Sequence, residues 1–143
     1  VAGCCDIFDK FGGEASRWHA NEYWVVQVRP KQPTLGSSVL IARRHAESLA
    51  GLSAPEAAAF AEATTALETR LRGTFSYDKI NYLLLMMVDR HLHFHVIPRY
   101  ASARSFAGIS WPDPAWPKGP PQMDSVVDAP GAAQAVAAAL RKP

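Results

Sequence analysis

Hydrophobic and polar positions along this chain change period several times, and each change marks an element. Glu22 to Arg29 (EYWVVQVR) is rich in β-branched and aromatic residues and predicts a strand. Pro30, Pro33 and Gly36 punctuate a loop. Ser37 to Arg43 (SSVLIAR) then predicts a second strand, paired with the first. Ser53 and Glu56 match a capping box, with Pro55 in the first helical turn, where a missing N–H does no harm. Phe60, Ala63, Leu67 and Leu71 follow on one face at helical spacing, Glu62, Thr65, Thr69 and Arg72 are polar, and Gly73 is a natural stop. Lys79 to Val88 (KINYLLLMMV) predicts a buried central strand, Asp89 and Arg90 a short turn, and His91 to Arg99 (HLHFHVIPR) the returning strand. Residues 1–15 read as an irregular arm with one helical turn. Ser110 to Pro121, with Trp111, Trp116 and five prolines, reads as an irregular segment draped over another surface, and Ala132 to Lys142 as a short terminal helix.

Strands, one helix, strands and a tail predict an α+β domain: an antiparallel sheet with one main helix. A chain of 143 residues without internal repeats suits a single domain. Its core spans about residues 16–100, with an irregular tail and short helix over 101–143. A net charge of +2, with acids and bases spread along the chain, is too mild for a duplex-binding surface, so no nucleic-acid partner is expected. The longest apolar run, Tyr82 to Val88, is too short to span a bilayer, and no basic and apolar leader opens the chain. Cys4 and Cys5 are adjacent and build no disulfide framework. A soluble cytoplasmic protein with no membrane partner is the expectation.

His91, His93 and His95 carry the chemistry. On one strand their rings would project from a single face, roughly 6.6 Å apart, while Leu92, Phe94 and Val96 anchor the other face in the core. Neutral imidazole is nucleophilic, and its pKa near neutrality makes both protonation states accessible. A lone histidine there would be a surface residue; three in register describe a preorganised site.

The string HLHFHVI fits the pattern His-φ-His-φ-His-φ-φ, with φ hydrophobic, and so resembles the histidine-triad superfamily. The similarity extends over residues 22–99. It takes in Gly36 to Ile41, Arg44-His45, the helix start Leu52 to Glu56, and Asn81 on the strand before the triad. Within the superfamily the chain looks closest to bacterial members related to dinucleoside polyphosphate hydrolases. The resemblance implies nucleotidyl transfer or hydrolysis on dinucleoside polyphosphates or nucleoside phosphoramidates, without a cofactor. His93 would be the nucleophile, forming a phosphohistidine intermediate, with His91 and His95 flanking it. His45 and Asn81 would support the substrate, a purine nucleotide, and the protein would be a homodimer. Gln27 and Arg29 lie near the place where relatives carry a ribose- or phosphate-contacting asparagine.

The chain departs from the pattern just before the triad. Many members place a Gly-Gln or Gly-Ser pair there to touch phosphate; here the stretch is Met86-Met87-Val88-Asp89-Arg90, and Asp89 adds negative charge. Some bacterial members carry an N-terminal Cys-x-x-Cys, but Phe8 stands where the second cysteine belongs, so no metal is expected. His19 has no partner in the pattern and reads as structural or exposed. Trp111 and Trp116 read as packing rather than base-stacking residues. Two other functions stay open: a metal enzyme that uses the His-x-His-x-His strand as ligands, and a nucleotide-binding protein with little catalysis.

Overall fold

The computed structural model describes residues 5–121, 123 and 131–142; Cys4 lies outside them. Its centre is an antiparallel sheet of β1 (Arg17–Ala20), β2 (Trp24–Val28), β3 (Ser38–Ala42), β4 (Lys79–Leu83) and β5 (His93–Arg99), in the order β1-β2-β3-β5-β4. Trp24, Val26, Leu40, Phe94 and Val96 point to one face. There they meet Ala63, Leu67 and Leu71 of α2 (Ala54–Phe75) and Val136 and Leu140 of α3 (Ala132–Arg141). Val39 and Ile41 point to the other face, under Ile7 and Phe11 at and beside the single turn α1 (Ile7–Lys10). β2 and β3 are buried along their whole length because both faces are covered. The α+β class, the pairing of these two strands, and both the N-terminal turn and the terminal helix match expectation.

The capping box of α2 is formed: the Glu56 N–H donates to Ser53 Oγ (3.2 Å), and the Ser53 N–H donates to Glu56 Oε1 (2.9 Å). Arg44 adds two hydrogen bonds to the same carboxylate, 2.8 and 3.1 Å long, and holds its pKa down at about 2. Ser53→Ala should therefore cost about 1 kcal/mol, read as a lower denaturation midpoint. An unchanged midpoint would show that the Glu56 N–H finds another acceptor.

Several expectations are corrected. The helix runs through Gly73 to Phe75 and closes on Ser76 in a left-handed conformation. Phe75 is buried and packs edge-on against Phe106 (5.3 Å), and that burial outweighs the roughly 1 kcal/mol that a helical glycine costs. Gly36 is where glycine is required: φ is +88°, and a Cβ would meet Leu71 at 3.0 Å and Phe75 at 3.2 Å. β4 is an edge strand, half-buried, and ends at Leu83, whereas a central strand to Val88 was expected. Residues 84–92 form a loop rather than a two-residue turn. β1 was not anticipated. Ser110 and Trp111 belong to a hairpin of β6 (Arg104–Phe106) and β7 (Ile109–Trp111), and Trp111 is buried in the main core. No helix among the described residues is long and apolar enough to cross a membrane.

Candidate active site

The histidine segment is shaped by its apolar neighbours. Phe94 and Val96 enter the main core, which turns His93 and His95 to the opposite face, beside Ile41 and Val39 of β3. The strand begins at His93, not His91. Leu92 is fully buried; its N–H donates to the Ala46 carbonyl (2.8 Å) and its own carbonyl accepts from the Ala42 N–H (3.1 Å). This draws His91 toward the end of β3 instead of along it. The expected row of three equivalent rings thus becomes two pairs: His93–His95 and His45–His91, each with ring centroids 5.1 Å apart.

His93 Nδ1 lies 2.7 Å from the His91 backbone carbonyl. A carbonyl only accepts, so Nδ1 carries the proton, and in the neutral ring Nε2 holds a bare lone pair. The ring is buried, and together with His95 it lines a pocket of about 250 Å³. Lys10 and Phe11 form one wall, Arg29 another, and the loop from Leu85 to Asp89 a third. Phe11 stacks near both histidines, 6.3 Å from His93 and 5.9 Å from His95. The negative charge anticipated at Asp89 is met by Lys10, with Nζ 2.7 Å from Oδ2. Burial, helped by the Arg29 charge, pushes His95 down to about 4, so its ring is neutral near pH 7.

The remaining expected residues fall elsewhere. Gln27 is fully buried and donates through Nε2 to the carbonyls of Phe8 (2.8 Å) and Phe11 (2.9 Å), tying the N-terminal arm to the sheet. Asn81 lines a separate cavity with Lys79, Arg99 and Trp116, and its Oδ1 accepts from Arg99 Nη1 (2.8 Å). His19 pairs with Glu62 on α2 (3.3 Å). Lys10 and Phe11 were missed: an amphipathic turn is visible in the sequence, but not the face it covers.

His45 and His91 meet Nδ1 to Nδ1 at 3.3 Å. His91 Nε2 donates to the Ala42 carbonyl, and His45 Nε2 to Glu47 (2.8 Å). In neutral rings both facing Nδ1 atoms are therefore bare lone pairs, an arrangement that calls for a cation or a proton between them. The Cys5 sulfur joins them, and all three donor atoms lie within 4.8 Å of one another. The expectation of no metal rested on a missing second cysteine at Phe8. The fold assembles a different set, one cysteine and two histidines, and a thiolate with two imidazoles suits zinc.

A buried histidine with a fixed tautomer, on the strand next to the edge of a five-stranded antiparallel sheet flanked by one long helix, defines a class: α+β proteins that present a strand-borne imidazole to a pocket. The chain matches the HIT domain family over residues 21–102, more than half its length, and belongs to that family. Membership supports a nucleotide-binding or hydrolase role. Among solved structures it is similar to a histidine triad (HIT) protein of Sinorhizobium meliloti 1021, with 18% identity and a TM-score of 0.72 over 94% of this chain and 91% of that one. A hypothetical histidine triad nucleotide-binding protein of Sulfolobus tokodaii strain7 gives 16% identity and a TM-score of 0.69 over 99% and 89%. A zinc-bound histidine triad family protein of Mycobacterium smegmatis gives 19% identity and a TM-score of 0.57 over 90% and 85%. At these identities the likeness shows the fold. No curated protein sequence matches.

Proposed function

We propose that the chain is a nucleotidyl hydrolase or transferase, acting at the α-phosphate of a dinucleoside polyphosphate or nucleoside phosphoramidate through a nucleotidyl adduct on His93. The observation that carries this is the hydrogen bond from His93 Nδ1 to the His91 carbonyl, which leaves Nε2 bare in a ring that lines the pocket. The Nε2 lone pair attacks phosphorus, the bond from phosphorus to the leaving oxygen or nitrogen breaks, and the leaving group takes a proton. Water then attacks phosphorus, the P–N bond breaks, and the monophosphate departs with His93 restored. The Nδ1–H stays on the carbonyl throughout, so the ring need not reorient as it gains positive charge. Neutral His95 offers hydrogen bonding to the phosphate oxygens. His45 and His91 brace the strand start, and Gln27 acts through the arm it ties to the sheet, which carries Phe11. β4 is an edge strand of the sheet, and Leu85, Met87 and Val88 are exposed just beyond it, which favours a second copy as partner.

Purified protein should release adenosine monophosphate from a diadenosine polyphosphate or an adenosine phosphoramidate. No release from either, beside intact binding of the monophosphate, would favour the binding-only reading.

A metal is a second part of the reading, supported by the facing lone pairs of His45 and His91. Cys5, His45 and His91 would hold zinc, leaving one of its usual four positions to another donor. It would clamp the N-terminal arm to the end of β3, and no phosphoryl step passes through it. Elemental analysis should find about one zinc per chain in the wild type, and much less in His45→Ala. Metal-free protein after purification with added zinc would overturn this.

A further inference from the structure

Arg29 is a cation in the histidine pocket without a counter-ion among the described residues. It follows directly after β2, and its N–H donates to the Ser37 carbonyl (3.0 Å). Gln27 stands level with Val39, and Val39 with His95, so Arg29, two residues on along the same face, lies beyond His95 on the side away from His93. Its guanidinium carbon is 5.9 Å from the centroid of the Phe11 ring, the same ring that packs near both histidines.

A surface arginine keeps its guanidinium hydrated. Here, among the described residues, Nε is buried without a hydrogen-bond partner, and Nη1 reaches the Met123 sulfur at 3.9 Å. Among the described residues no carboxylate forms an ion pair with it. Burial lowers its pKa, as expected for a cation taken from water without an anion. The other two fixed charges lining the pocket, Lys10 and Asp89, neutralise each other. The wall therefore presents one uncompensated positive charge, on a group whose fork of N–H donors matches phosphate.

We propose that Arg29 is the anion anchor of this pocket: it binds the phosphate next to the one His93 attacks, and so selects substrates whose leaving group is itself a phosphate. This rests on the nucleotidyl-transfer reading above. When His93 Nε2 bonds to the α-phosphorus and the P–O bond breaks, the electron pair goes to the departing phosphate oxygen. Negative charge grows there, beside the guanidinium, in a site of low polarity. A phosphoramidate behaves differently: its nitrogen takes a proton and leaves as a neutral or cationic amine, to which Arg29 offers nothing.

The test compares the wild type with Arg29→Gln and Arg29→Lys on a diadenosine polyphosphate and on an adenosine phosphoramidate with an uncharged amine leaving group. Arg29→Gln should lower kcat/KM on the polyphosphate by about a hundredfold, change the phosphoramidate reaction little, and be partly rescued in Arg29→Lys. Equal losses on both substrates, or no loss on the polyphosphate, would overturn the proposal. A second arm needs no turnover: calorimetric titration with inorganic triphosphate should show binding to the wild type and none to Arg29→Gln. Failure of the wild type to bind, or undiminished binding by Arg29→Gln, also overturns it. This arm decides the anchor even if neither nucleotide is hydrolysed, which would sink the nucleotidyl-transfer reading alone. If Arg29→Gln does not fold, Arg29→Lys carries both arms, because a point charge lacking the planar fork should bind triphosphate more weakly than arginine does.

Discussion

His93→Ala should lose turnover by roughly four orders of magnitude or more, because the group that bonds to phosphorus is gone and water must attack directly. Nucleotide binding should change little, since the pocket walls supplied by Phe11, Arg29 and the loop from Leu85 to Asp89 remain. His91→Ala should be milder: the acceptor that fixes the His93 tautomer is the His91 backbone carbonyl, and alanine keeps it. What is lost there is the hydrogen bond from the His91 ring to the Ala42 carbonyl, its packing against Phe8 (5.4 Å) and His45, and one donor of the proposed zinc set. His95→Ala removes a neutral pocket wall and should retain some activity. Wild-type protein quenched in alkali during turnover should carry an acid-labile nucleotidyl adduct, as a P–N bond requires, and His93→Ala should carry none. Substantial turnover by His93→Ala, or an adduct mapped to another residue, would end the assignment.

The second large effect concerns stability. Arg99 is almost wholly buried and makes four hydrogen bonds: Nε and Nη2 to the Asp113 carboxylate (2.6 and 3.0 Å), Nη1 to Asn81 (2.8 Å) and Nη2 to the Lys118 carbonyl (2.7 Å). The Asp113 side chain is 1% exposed. Arg99→Met should cost roughly 3–5 kcal/mol, because it strands that carboxylate away from both water and its cation. The melting temperature should fall by about 10 °C or more. Arg99→Met with Asp113→Leu should recover part of the loss, since removing both charges also removes the desolvation that neither then repays. A single variant that melts within about 2 °C of the wild type would show that the pair contributes little. The cavity held by Arg99 is distinct from the histidine pocket, so kcat of the folded variant should survive.

Some of this protein was readable from its residues alone because the forces involved are local. The capping box at Ser53 and Glu56 needs only four consecutive residues, and α2 starts there. The alternation of His93, Phe94, His95 and Val96 forces imidazoles and apolar groups to opposite faces of any strand they form. The α+β class and the histidine-triad membership follow from such patterns. Strand order does not: Lys79 to Val88 has the composition of a central strand, yet β4 is an edge, because an apolar run does not say how many neighbours it has. β1 is four residues long, too short to show a period. Gly73 marks a stop that the burial of Phe75 overrides. The site divides in the same way. His93 was legible as the candidate nucleophile, but its tautomer depends on a carbonyl whose direction the tertiary fold sets. The meeting of Cys5 with His45 and His91, the cover that Phe11 gives the pocket, and the place of Arg29 beside Phe11 in that pocket all join residues distant in the chain. They arise from packing, in which a side chain's surroundings are decided by which segments bury their apolar faces together, and no local pattern records that choice.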